Sequence, residues 1–99
     1  MTTMAVYEAL KNAFANEEQL EQSLSKLLRF KLDEHHLRLR QYESELAEFE
    51  DRYGMASDVM NEKFEAGELG DAMDFFEWSG LFVLSQYLRR KIERLEKGQ

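Results

Sequence analysis

The chain has 99 residues, 20 acidic against 13 basic for a formal charge of -7, and neither cysteine nor proline, which is enough for one domain and little more. The acidic balance argues against nucleic-acid binding as the main activity, because phosphate contacts need a cationic face, and the lack of cysteine excludes disulfides, thiolate-bound zinc, iron–sulfur clusters and thiol catalysis. Without proline the chain lacks the strongest helix breaker, and no apolar run reaches the roughly 18–20 residues that a membrane span needs.

In chain order, Thr3 to Phe14 reads as a short helix with Val6, Leu10 and Phe14 on one face. The opening MTTMAVYEAL has no basic start, and Glu8 interrupts its apolar stretch, so no signal peptide is expected and the expected setting is the cytoplasm. A long helix follows over 17–53. Asn16 is its N-cap, Glu17 and Glu18 sit in the first turn, and Gly54 stops it. Leu28, Leu32, His35, Leu39, Tyr42, Leu46, Phe49 and Tyr53 alternate steps of four and three, which is a heptad seam. A short helix over 57–66 is expected next, with Ser57 as N-cap and Gly67 as its stop. Glu68-Leu69-Gly70 makes a tight turn, and a second long helix spans 71–97 with Asp71 as N-cap. The start of that helix, from Phe75 to Leu84, is apolar nearly all round, so it must be covered on more than one side.

These elements predict an all-α fold in one domain over 1–99: an antiparallel hairpin of two long helices, a short helix at the turn and a short N-terminal helix. A two-helix hairpin has little interior of its own, so dimerisation into a helical bundle is expected. The alternative is a monomer closed by the N-terminal helix.

Charge is segregated along the chain. Residues 1–25 carry net -3, residues 26–42 net +3, residues 43–82 net -10 and residues 83–99 net +3. In a hairpin the turn end is then acidic and the open end basic. Helix-dipole compensation explains the bases of the last helix, but not the acidic excess around the turn. An acidic docking surface for a basic partner does.

The stretch FEAGELGDAMDFFEW, Phe64 to Trp78, combines turn glycines, acids and aromatics. Gly67 and Gly70 suit backbone angles closed to other residues, and Phe64, Asp71, Phe76 and Trp78 read with them as structural. Phe75 and Phe76 are adjacent and point about 100° apart, so both cannot sit deep in one seam. The candidate partner-binding residues are Glu65, Glu68, Leu69, Asp74, Phe75 and Glu77, with Phe75 as the aromatic anchor. Acids recur at every third position from Glu62 to Glu77, and such pairs could hold magnesium. A magnesium-dependent phosphohydrolase is therefore a second alternative, though no phosphate-cradling motif accompanies the run. Adjacent His35 and His36 face different ways and make a poor chelate. No glycine-rich phosphate loop, nucleophile motif or zinc signature is present, so no enzyme activity, metal or cofactor is expected.

The block RYGMASDVMNEKFEAGELGDAMDFFEW, Arg52 to Trp78, followed by Gly80-Leu81, resembles a recurrent element of small helical proteins of bacteria and archaea. Those proteins look like antitoxin components encoded beside small toxin genes. The resemblance spans about Leu37 to Leu95, and its marks are Phe64, Gly67, Leu69, Gly70, Asp71, Phe75, Phe76, Glu77 and Trp78. It implies a cytoplasmic protein that masks a small, basic, nuclease-type toxin by direct binding. No DNA-binding segment is visible. The alternative from another class is a self-associating structural or adaptor coiled coil without a toxin.

Overall fold

The computed structural model describes residues 2–98; Met1 and Gln99, the outermost positions of the expected unit, lie outside the described residues. Those residues form four helices and no strand: α1 (Thr3–Ala13), α2 (Glu17–Tyr53), α3 (Ser57–Glu65) and α4 (Met73–Glu96). The molecule is a rod of 60 × 25 × 19 Å with a radius of gyration of 19.6 Å, against about 13 Å for a compact domain of this length.

Local chemistry explains the ends of α2. The Asn16 side chain accepts from the Gln19 N–H at 2.9 Å, which satisfies one of the first-turn donors. At the other end Gly54 takes φ 63° and its N–H donates to the Glu50 carbonyl at 2.8 Å. The left-handed region is cheap only for glycine. α3 ends in the same style. The Glu68 N–H bonds the Lys63 carbonyl at 2.9 Å and the Gly67 N–H bonds the Phe64 carbonyl at 3.0 Å, with Gly67 at φ 74°. This pair of bonds is the Schellman motif, and it uses up carbonyls that the last turn leaves free.

Two other helix starts differ from expectation. The residue before α3 is Ala56, not Ser57, and it makes no side-chain cap bond. The residue before α4 is Ala72, also without a side-chain cap, so Asp71 is not an N-cap and the helix begins at Met73. The Ser57 hydroxyl is instead committed to tertiary partners, as described below.

Asp74 at the start of α4 meets Arg52 near the end of α2 at 3.1 Å, and Arg89 meets Glu43 farther back along α2 at 3.2 Å. Two apolar clusters line the contact of α4, one beyond the Arg89–Glu43 pair and one between these pairs. One is Leu32, Leu88 and Ile92, with Leu28, Leu39, Tyr42 and Leu95 around it. The other is Leu46, Met60 and Trp78, with Phe49, Phe64, Leu69 and Phe75 among its flanks. The apolar start of α4 is thus covered by α2 on one side and α3 on another. α1 touches α2 alone and buries none of its residues, so it adds no cover to α4. Met73, Phe76, Val83, Leu84 and Tyr87 of α4 remain exposed.

Candidate protein-docking site

The acidic end is assembled on a buried polar chain. Trp78 is fully buried and its Nε1–H donates to Ser57 Oγ at 2.8 Å. The Ser57 hydroxyl donates in turn to Glu50 Oε2 at 2.8 Å, and the same oxygen accepts the Ser57 backbone N–H at 2.8 Å. The Glu50 carboxylate therefore does the capping that Ala56 cannot do. It satisfies the first N–H of α3 and places negative charge at the positive end of that helix. One chain of bonds ties the end of α2, the start of α3 and the second turn of α4. No described buried side-chain nitrogen or oxygen is left without a partner.

A second linkage closes the outer side. Asp74 accepts from Tyr53 Oη and from Arg52 Nη1, and the Arg52 guanidinium lies 5.3 Å from the Phe49 ring centroid. The Tyr53 hydrogen bond, helped by Arg52, holds the Asp74 carboxyl below its ordinary value of 3.8. The same bond, with partial burial and the Asp74 charge, pushes the Tyr53 hydroxyl above 10.0. Aromatic rings fill the space between: Phe49 and Tyr53 each stack on Trp78 at 5.6 Å, and Tyr53 lies 5.1 Å from Phe75.

This scaffold sorts the expected partner-binding residues. Glu65, Glu68 and Glu77 are exposed, together with Glu62 and Asp71. Among the described residues none of these five forms an ion pair. Asp74 is engaged with Arg52 and Tyr53. Leu69 packs half-buried against the Trp78 cluster. Phe75 turns inward against Tyr53 and Trp78, while its neighbour Phe76 is 52% exposed and meets Phe64 edge-on at 5.0 Å. The exposed aromatic of the pair is therefore Phe76 and not Phe75. The reason is the position of α2, whose Phe49 and Tyr53 cover the face that carries Phe75 and Trp78, while Phe64 of α3 meets Phe76 edge-on. Gly67 and Gly70 both take positive φ, 74° and 78°, as their placement at the turn requires.

Glu50 and Ser57 have site-building roles that a helix-by-helix reading does not expose. A pointer exists in the chemistry of Trp78, because a buried indole N–H needs an acceptor. From 57 to 77 a single base, Lys63, stands against seven acids, so the potential over α3 and the turn is strongly negative. The carboxylates are spread over the surface. Among the described residues no three histidine, aspartate or glutamate side chains converge on a point that could hold a metal ion, and no helix is long and apolar enough to cross a membrane.

No protein-family model, curated protein or solved structure matches this chain.

Proposed function

We propose that this chain is a non-enzymatic protein–protein interaction module of the cytoplasm, an antiparallel hairpin of α2 and α4 that works as a homodimer and binds a small basic protein in the manner of an antitoxin. The observation that carries the docking reading is the set of exposed carboxylates on α3 and the turn, Glu62, Glu65, Glu68 and Asp71, which form no ion pair among the described residues. They sit on a support fixed by the Trp78–Ser57–Glu50 chain. Because the backbone beneath them is already ordered, binding has only the side chains left to order, which favours affinity. A cationic partner is steered toward them and held by rim ion pairs. A nuclease-type toxin uses its own cationic surface to hold phosphates, so covering that surface with carboxylates would silence it. The antitoxin-like assignment draws on the Arg52–Trp78 block.

The test is a variant carrying Glu62→Gln, Glu65→Gln, Glu68→Gln and Asp71→Asn. None of the four caps a helix, so the fold is expected to persist. Co-expressed with a small, basic, toxic protein from a neighbouring reading frame, wild type should rescue growth and the variant should rescue poorly. With purified proteins the variant should associate more slowly at low salt, with the difference fading as exposed charges are screened. Full rescue with unchanged association kinetics would remove the acidic end from the mechanism. A structural coiled coil without a toxin is the second reading, favoured by the exposed apolar stripe of α4. It is distinguished by self-association in the absence of any toxin-like neighbour.

A further inference from the structure

We infer that two copies of this chain pair through the outer face of α4, antiparallel to each other, with the two-fold axis beside Val83 and Leu84. This rests on the homodimer proposed above and adds to it the surface, the orientation and the register. Met73, Phe76, Val83, Leu84 and Tyr87 are between 51% and 69% exposed. With Gly80 between Phe76 and the Val83–Leu84 pair, steps of three and four carry this stripe along the helix, turned away from the seam that buries Trp78, Ser85, Leu88 and Ile92. The surface needed for a dimer is at hand: the chain exposes 7458 Å², about 1,500 Å² more than a compact monomer of its mass. A standard interface takes about 800 Å² from each partner.

Charge selects the occupant and its direction. The first half of α4 and the residues leading into it carry Asp71, Asp74 and Glu77, and the last turns carry Arg90, Lys91 and Arg94. Glu77, Arg90, Lys91 and Arg94 form no ion pair among the described residues. An antiparallel pair sets Glu77 opposite the second copy's Lys91 and Phe76 beside the second copy's Arg90 and Arg94, where the guanidinium can lie on the ring. A parallel pair would stack like charges. Gly80 fits the same register. It sits exposed inside the helix, where glycine is the least favourable residue short of proline, and a Cβ built there meets nothing within 4 Å. Neither α2 nor α3 requires it. In the antiparallel pair the second copy's Tyr87 ring lies over it. The outer face of α2 is less suited, because its exposed Leu27, Phe30 and Leu37 lie within the basic stretch 26–42. A symmetric pairing there would set that basic stretch against itself.

The experiment is sedimentation equilibrium of the full chain and five variants at matched concentration, with helicity followed by circular dichroism. Gly80→Arg should weaken the dimer about tenfold or more while leaving helicity unchanged, since space around Gly80 is open in one copy. Glu77→Lys and Lys91→Glu should each weaken it severalfold, and the double variant should recover most of the loss. Leu37→Arg, on the outer face of α2, should leave it unchanged. In a separate arm, Leu84→Cys, the only thiol in the chain, should cross-link covalently between copies on mild oxidation. A wild-type monomer at micromolar concentration would remove the homodimer and this inference together. A wild-type dimer that ignores Gly80→Arg, shows no rescue in the charge swap and does not cross-link through Leu84→Cys would overturn the α4 interface and leave the homodimer standing.

Discussion

Replacing Ser57 with alanine removes one oxygen and breaks a chain that holds three helices. The Trp78 Nε1–H loses its acceptor in a site with no exposure to water, and Glu50 keeps only the backbone N–H of residue 57. Leaving a buried donor unpaired costs about 1–3 kcal/mol. For a domain of this length that corresponds to a fall of roughly 5–20 °C in Tm. The assay is urea and thermal denaturation by circular dichroism, at one protein concentration because self-association shifts apparent stability. Trp78 is the only tryptophan, so its fluorescence reports the same site independently. The control is Trp78→Phe, which removes the donor. In that background Ser57→Ala should cost less by about 1 kcal/mol or more, the signature of two residues in one network. If Ser57→Ala lowers stability by less than about 0.5 kcal/mol, or by the same amount in both backgrounds, the buried chain does not organise the acidic end.

Gly67→Ala should cost about 1–2 kcal/mol from the left-handed backbone alone, since its Cβ would meet nothing within 4 Å; an unchanged urea midpoint would mean the α3 stop does not need that geometry. Leu46→Ala, at a position 6% exposed between α2 and the Trp78 cluster, should cost about 2–5 kcal/mol in the same titration. The Asp74 carboxyl is lowered in the folded state, so its contribution is complete above 3.8 and lost as pH falls through the lower folded value; Asp74→Asn should flatten that acid limb of the Tm profile. The Tyr53 hydroxyl is raised, so its contribution is complete below 10.0 and lost as pH rises through the higher folded value; Tyr53→Phe should remove that alkaline loss.

The two ends of α2 are legible in the sequence because the signals are local. Asn16 caps the N–H three residues ahead, and Gly54 supplies a backbone angle that no neighbour has to provide. Gly67 is legible for the same reason. The starts of α3 and α4 are less so. Ser57 has the composition of an N-cap, but its hydroxyl faces a buried indole and a carboxylate seven residues back, and that tertiary demand overrides local capping. Asp71 likewise has the chemistry of a cap, yet α4 begins behind Ala72. The 100° between Phe75 and Phe76 tells that one must turn out. Which one turns out depends on where the end of α2 lies, and periodicity within α4 carries no record of that. At the candidate site the acidic excess is visible in composition, whereas the removal of Asp74 and Leu69 from the exposed set follows from contacts with Arg52, Tyr53 and the Trp78 cluster.

The most direct measurement of the central claim is a pull-down of the full chain from its native host, followed, for a small basic protein captured with it, by association and dissociation rates at low and at high salt. Tight binding is predicted, with an association rate that falls steeply as salt rises and that drops in the variant carrying Glu62→Gln, Glu65→Gln, Glu68→Gln and Asp71→Asn. No binding, or binding whose association rate ignores both salt and these four carboxylates, would contradict the account.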